Sequence, residues 1–327
     1  MKIGLVMGGG GFVGGAWLTG ALEALEGETG VLPSRFDNVV GTSAGAMIAA
    51  LTASGVAPSV VAEIFSGRMR EGTNTRERPD GASLRLERGI PLPGSVRLAL
   101  DTLRHPRQHP VGVAVAALLP KGVFSTQPLK DTVRKAIPTP WSPHKGLWIM
   151  ACDLGTGRRV AFGREGSPEA QLPDAVAASC AIPGFYRPVA IGGRHYVDGG
   201  VCSPSNLDVL RNSGLDLVIC LNPTSSVETV GGRRLRERIG DAYRGASRAQ
   251  LEREVVKLRA AGTKVLCVQP TTDDLRVMGT NLMAAGNLEV VSEVARRTVA
   301  RQLHSPQAAE FVRALGSLTA RRRSRAA

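Results

Sequence analysis

Aromatic residues, histidines and cysteines are all scarce in this chain of 327 residues, which holds 7 Phe, 3 Trp, 3 Tyr, 5 His and 5 Cys. The cysteines are odd in number and widely spaced, without a C-x-x-C pair, which argues against a disulfide framework and a zinc site. We expect them to be buried, reduced packing residues: Cys152, Cys180, Cys202, Cys220 and Cys267. No aromatic residues interleave with the arginines as stacking platforms, so nucleic acid is not the expected partner.

Long hydrophobic runs are also lacking. The longest, such as residues 113–119, fall far short of the ~18 apolar residues that a membrane-spanning helix needs. At the N-terminus, apolar residues 3–7 lead directly into four glycines, too short and too flexible a stretch for a secretory signal. The sequence therefore predicts a cytoplasmic protein without a transmembrane segment.

Negative charge is in the minority, with 28 Asp and Glu against 41 Lys and Arg and a formal net charge of +13. The excess lies mainly in residues 68–107, in residues 231–259 and in the last seven residues, which include four arginines. Residues 318–327 are predicted to form a disordered basic tail. The charge pattern favours an anionic surface as partner, and peripheral contact with the inner face of the membrane is our hypothesis.

Short, nearly continuous Val, Ile and Leu runs alternate with helical patterns along the chain. Such runs are typical of buried strands in a parallel sheet. Strands are predicted at residues 2–7, 37–40, 147–152, 215–221 and 264–268, with a hairpin at 187–191 and 194–197. Helices are predicted at residues 14–27, 44–54, 56–67, 126–137, 204–213, 233–261 and 288–303. The pattern predicts an α/β protein with one domain over residues 1–317.

Residues 68–122 interrupt this alternation with charge, proline and glycine. Their single apolar patch is residues 111–119. A stretch of this length without clear strands is interpreted as a cap or lid inserted over the sheet. A pair of core helices that the pattern does not resolve is the alternative.

A glycine run from Gly8 to Gly15 follows the first predicted strand directly and precedes a helix. Within it, Gly9-x-Gly11-x-x-Gly14 fits the dinucleotide-binding fingerprint, which is a weak match in a chain with 39 glycines. Glycines at this position let backbone N–H groups converge on an anion at a helix N-terminus. The anion could be a pyrophosphate or the oxyanion of a reaction.

A G-x-S-x-G pattern at residues 41–45 lies between a β-branched strand and an alanine-rich helix. This is the pattern of a nucleophile elbow, a sharp turn that exposes a serine hydroxyl, with Gly41 and Gly45 removing Cβ atoms that would clash. Ser43 is the candidate nucleophile. The alternative is a helix N-cap serine.

A serine hydroxyl needs a base within hydrogen-bond reach. The order Ser43, Asp153 and His195 would fit a Ser–Asp–His triad. Asp198 is the other candidate, since it ends the predicted hairpin and is followed by Gly199 and Gly200. By itself, Asp-Gly-Gly is a common turn.

Taken together and in this order, the three motifs resemble the patatin-like phospholipase family. The resemblance implies a three-layer fold with a mostly parallel central sheet and helices on both faces. It also implies that Ser43 is the nucleophile and Asp198 its base, so that His195 is not the base. Asp80-Gly81-Ala82 also matches the aspartate motif, but it follows no predicted strand and is rejected.

The resemblance further assigns an oxyanion hole to the glycine loop, with Gly9, Gly10, Gly11 and Gly14, and supporting roles to Gly41, Gly45, Gly199 and Gly200. It implies no cofactor and no metal, and a fatty acyl ester as substrate, such as a phospholipid or a lysophospholipid. Many members carry Arg or Lys where this chain has Val13. Residues 68–122 match no motif of the family.

Two hypotheses from other classes stay open at this point. A dinucleotide-binding protein would need an acidic residue at the carboxyl end of the second strand, whereas Asp37 precedes that strand. A catalytically idle lipid-binding scaffold would be consistent with Val13 and the basic surface.

Overall fold

The structure is a computed structural model that describes residues 1–66, 94–105, 110–228, 231 and 235–326. Its described strands join into one sheet of eight. They are β1 Ile3–Met7, β2 Asn38–Thr42, β3 Leu147–Asp153, β4 Arg159–Phe162, β5 Val189–Ile191, β6 Arg194–Asp198, β7 Leu217–Leu221 and β8 Lys264–Val268. The order is β5-β6-β3-β2-β1-β7-β8, and β4 also pairs with β3.

Five strands, β3, β2, β1, β7 and β8, run parallel to one another. The remaining three, β4, β5 and β6, are antiparallel to their partners. The predicted mostly parallel sheet and its antiparallel hairpin are therefore confirmed. Strand β4 was missed, because its four residues begin with an arginine and carry too short an apolar pattern to recognise.

Eleven α-helices cover or flank the sheet in the described ranges. They are α1 Gly11–Thr29, α2 Ala44–Ala53, α3 Pro58–Ser66, α4 Val96–Arg104, α5 Val111–Leu118, α6 Gln127–Ala136, α7 Leu172–Ser179, α8 Leu235–Ala260, α9 Thr272–Met278, α10 Leu288–Leu303 and α11 Ala309–Ala326. None of the helices in the described part of the chain is long and apolar enough to cross a membrane.

The strands bury both faces, as the continuous apolar runs predict. Along β1, Leu5 and Met7 pack with α1, α2, α7 and α10 on one face, whereas Val6 between them packs on the other face. That second face is covered by α8, which contributes Leu251 and Leu258. The result is a three-layer arrangement with helices on both sides of the sheet.

One helix prediction was wrong, and the C-terminal segment differs from its prediction. The predicted helix at 204–213 is only a 3-10 turn, Leu207–Leu210, because the left-handed backbone of Asn206 (φ 51°) cannot continue into a longer helix. Helix α11 extends to Ala326, through the residues predicted to form a disordered tail, where alanine and arginine favour helix.

The segment predicted as a cap or lid is described only in part, since residues 67–93 and 106–109 lie outside the described ranges. Its described residues include α4 and α5, the helix pair that was the alternative interpretation. Leu98 of α4 and Val113 of α5 are buried against Val197 of β6. The apolar pattern of α5 has no helical period to recognise, because small and apolar residues occupy nearly every position.

All five cysteines are free thiols. Cys152 and Cys220 are buried, as predicted, whereas Cys180, Cys202 and Cys267 are partly exposed. Their spacing along the chain did not distinguish these two groups.

Candidate active site

The register of β3 explains how residues 43 and 198 meet. Strands β2 and β6 pair with the same edge of β3, one after the other. The pairing with β2 ends at Thr42, opposite Met150, and the pairing with β6 includes Asp198, opposite Ala151. Since β2 is parallel and β6 antiparallel to β3, the carboxyl ends of β2 and β6 face each other. Ser43 directly follows Thr42, so the fold brings the predicted nucleophile against the predicted base.

Ser43 adopts a strained backbone conformation, with φ 54° and ψ −122°. The turn fits only because its neighbours have no side chains: a Cβ on Gly45 would lie 2.2 Å from the Met7 carbonyl oxygen, and one on Gly41 would lie 2.6 Å from the Cα of Ala46. Although Ser43 occupies the N-cap position of α2, its hydroxyl makes no capping hydrogen bond. The hydroxyl is therefore available for another partner.

The carboxylate of Asp198 is that partner. Burial raises the pKa of Asp198 from 3.8 to about 6, while hydrogen bonds from the Ser43 hydroxyl and the Gly200 backbone N–H favour the charged form and limit the rise. The Gly200 N–H lies 2.7 Å from Oδ1. Gly199 begins the 3-10 turn that turns the chain away after the carboxylate. A carboxylate with this pKa is ionised at neutral pH and is a stronger base than an exposed aspartate.

The end of α7 holds both residues in place. The Ser43 N–H donates to the Ser179 hydroxyl oxygen at 2.9 Å, and the Cys180 thiol donates to the Ser43 carbonyl at 3.2 Å. One residue further, the Ala181 carbonyl accepts the Asp198 N–H at 3.0 Å. Sequence reasoning gave these residues no role.

Asn206 makes a second connection between the two residues. Its buried side-chain amide donates to the Thr42 hydroxyl at 3.1 Å, to the Gly199 carbonyl at 3.3 Å and to the Ser203 carbonyl at 2.6 Å. Thr42 precedes Ser43 and Gly199 follows Asp198. This amide therefore fixes the two strand ends relative to each other, and no sequence motif indicated it.

The glycine loop lies beside Ser43, but it offers fewer donors than expected. The Gly9 N–H donates to the Pro204 carbonyl at 2.9 Å, and the Gly14 N–H donates to the Gly10 carbonyl at 2.8 Å. Both were predicted as oxyanion donors, and their existing hydrogen bonds correct that prediction. Among the described residues, no backbone carbonyl accepts a hydrogen bond from the N–H of Gly10 or of Gly11. Gly9 instead allows close packing, since a Cβ there would lie 3.2 Å from Ser43 Cβ.

Two helix N-termini point at this position, since Gly10 is the N-cap of α1 and Ser43 is the N-cap of α2. The partial positive charge of each N-terminus favours an anion between them. Neither helix carries an acidic residue in its first turn that would oppose this effect. The site is thus suited to stabilising a negative charge that develops next to Ser43.

An apolar pocket of about 90 Å³ opens next to the nucleophile. It is lined by Gly11, Phe12, Ser43, Ala44, Met47, Phe65, Leu129, Cys180, Ile182, Tyr186 and Met283. Four helices, α1, α2, α3 and α6, contribute to it together with the 180–186 segment and Met283. A hydrocarbon chain is the chemical group that such a lining accepts.

The alternative triad does not form. His195 is exposed on β6. Because side chains alternate along a strand, it points to the opposite face from Tyr196 and Asp198. Asp153 accepts hydrogen bonds from the N–H groups of Gly155 and Thr156 at 2.8 and 3.1 Å, so it closes the turn between β3 and β4. Asp80 lies outside the described residues.

The requirements of a dinucleotide site are not met either. Asp37 lies at the amino end of β2, where its carboxylate accepts the Ile3 N–H at 2.7 Å, at the opposite edge of the sheet from the glycine loop. Val13 is fully buried in the core, and its N–H donates to the Leu282 carbonyl at 3.1 Å. Within the described ranges, no three His, Cys, Asp or Glu side chains come together as a metal site requires.

Comparisons with known proteins found a matching family model and similar proteins. The model of the patatin-like phospholipase family matches residues 5–211, which include the glycine loop, the elbow and the Asp-Gly-Gly turn. The uncharacterized protein YqhO of Bacillus subtilis strain 168 is 34% identical over 206 residues, which are 59% of this chain and 62% of that relative. The chain therefore matches less than two thirds of that relative's length.

Two solved structures are similar at lower identity. VipD from Legionella pneumophila aligns over 92% of this chain and 66% of its own, with 15% identity and a TM-score of 0.46. The type III effector protein ExoU aligns over 94% of this chain and 53% of its own, with 18% identity and a TM-score of 0.38.

Proposed function

The chain belongs to the patatin-like phospholipase family, and from its site we propose that it is a serine hydrolase that cleaves fatty acyl esters of lipids. One observation carries the proposal most strongly. A strained serine with an uncapped hydroxyl lies against a buried carboxylate whose pKa is raised to about 6, beside a pocket for an acyl chain. The serine is then poised to attack an ester bound in that pocket.

In the first step, Ser43 Oγ attacks the ester carbonyl carbon and Asp198 accepts the hydroxyl proton. The tetrahedral intermediate then collapses, and its C–O bond to the alcohol breaks as Asp198 returns the proton to the leaving oxygen. The products of this step are an acyl-serine and a free alcohol. In the second step, water repeats the sequence with Asp198 as base, releasing the fatty acid and restoring Ser43.

The negative charge of the tetrahedral intermediate needs donors that are not already in use. The N–H groups of Gly10 and Gly11, together with the N-termini of α1 and α2, supply them in this proposal. In comparable sites each such donor lowers the barrier by roughly 3–4 kcal/mol.

The substrate class follows from the pocket. Its apolar lining is suited to a fatty acyl chain, and its size of about 90 Å³ accommodates only the part of the chain nearest the ester. The rest of a long acyl chain would continue beyond the pocket. We therefore expect activity on phospholipids or lysophospholipids, with the headgroup outside the pocket.

The experiment is to incubate the full chain with a phosphatidylcholine, a lysophosphatidylcholine, a monoacylglycerol and a short soluble ester, and to quantify released acid by mass spectrometry. The matched control is Ser43→Ala, a smaller side chain in the same turn. Acid released by the wild type and absent with Ser43→Ala supports the proposal. Labelling of Ser43 by a fluorophosphonate without hydrolysis of any ester would contradict the lipid hydrolase, and absence of labelling would favour the idle scaffold.

A further inference from the structure

A broad basin of about 1010 Å³ lies away from the pocket at Ser43, between α4, the turn that joins β3 to β4, and α8. Five cationic side chains line it: Arg97 and Arg104 of α4, Arg158 and Arg159 at the turn, and Lys257 of α8. We call this cavity, with its five cationic side chains, the basin. It shares no lining residue with the pocket at Ser43.

Two of the five cations already have acidic partners. Arg159 and Lys257 lie 2.5 Å and 2.7 Å from the carboxylate oxygens of Asp208, and Arg159 also lies 3.9 Å from Glu254. Burial alone would raise the pKa of Asp208, but the hydrogen bonds from these two cations outweigh it and hold the pKa below its ordinary value. These groups form an ion cluster in the lining of the basin.

The other three cations are not neutralised. In the part of the chain that the structure describes, Arg97, Arg104 and Arg158 have no acidic partner. The remaining acid in the lining, Asp101, pairs with His105 at 3.2 Å. Three guanidinium groups around one basin are suited to an oxyanion with several acceptors, above all a phosphate group, because their planar donors match its oxygens in pairs.

The exposed side of α5 begins where the basin ends. Pro110 lines the basin, and the next residue, Val111, is 80% exposed. Val115 and Leu118 are 49% and 62% exposed, and the spacing of these residues puts all three on one face of the helix. We call Val111, Val115 and Leu118 the α5 stripe. An apolar stripe next to unpaired arginines matches the two layers of an anionic bilayer, with phosphate at the surface and hydrocarbon below.

A series of contacts connects the residue that follows the α5 stripe to the pocket at Ser43. Leu119, which follows α5, packs at Gly184, and a Cβ on Gly184 would lie 3.6 Å from its side chain. The ring of Phe185 contacts the ring of Tyr186 with centroids 4.8 Å apart, and Tyr186 lines the pocket. A bilayer on the stripe would therefore lie near side chains that pack against the lining of the pocket.

We propose that the basin binds the phosphate of an anionic lipid headgroup while the α5 stripe inserts among the acyl chains, which makes this face a membrane-docking site separate from the catalytic residues. The docking does not require turnover, so it goes beyond the proposed hydrolase activity and can be tested without it. Both parts are required: the charge selects anionic lipid, and the stripe distinguishes a bilayer from a soluble phosphate.

The test uses the full chain with Ser43→Ala, so that hydrolysis does not alter the vesicles. Co-sedimentation is measured with phosphatidylcholine vesicles alone and with vesicles containing a fifth phosphatidylglycerol. The basin variant is Arg97→Gln with Arg158→Gln. The matched control is Arg35→Gln with Lys145→Gln, two exposed cations near the amino ends of the strands that also have no acidic partner among the described residues.

We expect the basin variant to bind anionic vesicles roughly 30-fold more weakly and the control to change binding less than about twofold. Val111→Ser with Val115→Ser should weaken binding to the same vesicles by roughly tenfold or more, because both side chains lose their contact with hydrocarbon. Since all four side chains are exposed, thermal unfolding should be unchanged. Added NaCl should weaken the remaining electrostatic part.

Three results would overturn the proposal. Equal losses in the basin variant and the control would mean that net charge alone attracts the protein. Unchanged binding in the Val111 and Val115 variant would remove the stripe from the interface. Calorimetric binding of glycerol 1-phosphate that depends on Arg97 and Arg158, without binding to anionic vesicles, would identify a site for a soluble phosphate.

Discussion

The proposed catalytic centre and the proposed docking face are built on opposite principles. Around Ser43 and Asp198 the chain supplies nearly every partner itself, and both residues are less than a tenth exposed. On the docking face, three arginines lack acidic partners in the described chain and the α5 stripe exposes its apolar side chains. The first region is therefore complete before substrate arrives. The second gains its partners only when something binds.

The largest expected effect is at the nucleophile. Ser43→Ala should lower hydrolysis of a soluble ester by on the order of 10⁶-fold, because no other group can form the acyl intermediate. Fluorophosphonate labelling followed by mass spectrometry should lose its adduct at the same time. Ser317→Ala, an exposed serine of α11, is the matched control and should change neither reading. Labelling of a different serine at the wild-type rate would disprove the assignment.

Asp198→Asn tests the base. We expect kcat for the soluble ester to fall by roughly 10²- to 10⁴-fold, since the amide has similar shape but cannot accept the proton. His195→Ala should cost less than about twofold, because His195 is exposed away from Ser43. If the histidine variant showed the larger loss, a Ser–Asp–His triad would have to replace the Ser43–Asp198 pair.

The same aspartate variant should change stability in the opposite direction. Burial raises the pKa of Asp198 to about 6, so between about pH 4 and pH 6 the folded state binds a proton that the unfolded state has released. The wild type therefore loses stability as the pH rises through about 6. At pH 8, Asp198→Asn should be more stable by up to about 3 kcal/mol, and the difference should vanish near pH 4.

Urea unfolding at pH 8 and at pH 4 measures this difference. Gly200→Ala is not a suitable control, because a Cβ there would lie 3.0 Å from Asp198 Oδ1. Asp131→Asn, a partly exposed acid of α6, is suitable and should show no such pH-dependent gain. An Asp198→Asn variant less stable than the wild type at pH 8 would mean that the buried carboxylate is stabilised by more than its known partners.

A smaller effect is expected at Asn206. Asn206→Gly keeps the left-handed backbone without strain but removes three hydrogen bonds, so kcat should fall roughly tenfold as the ends of β2 and β6 lose their connection. Asn206→Ala adds backbone strain and should also lower the unfolding free energy by a further ~1 kcal/mol. An Asn206→Gly variant with wild-type kcat would show that the amide is structural only.

The same comparison separates what the sequence could predict from what it could not. Ser43 and Asp198 were recognisable because each lies in a local turn whose glycines are adjacent in sequence. Ser179 and Asn206 could not be found in this way, because their contacts reach across 136 and 164 positions of the chain. The oxyanion prediction failed in part for the same reason, since the Gly9 N–H is occupied by the carbonyl of Pro204.

The fold shows a similar division. Buried parallel strands were predictable from continuous Val, Ile and Leu runs, because both faces of the sheet are covered. Helices α4 and α5 were not predicted. One side of α5 is exposed although it is apolar, and this removes the contrast between polar and apolar faces that identifies a helix. An apolar face kept in solvent makes a helix hard to recognise, and it is also the feature that indicates a docking role.

The most direct measurement of the central claim is the rate at which a fluorophosphonate labels Ser43 between pH 4.5 and pH 8.5. In the wild type, the rate should rise about tenfold per pH unit below about 6 and then level off, as the Asp198 carboxylate becomes ionised. In Asp198→Asn it should be low and flat across this range. The same rise in both proteins would contradict the account, because a group other than Asp198 would then be activating the serine.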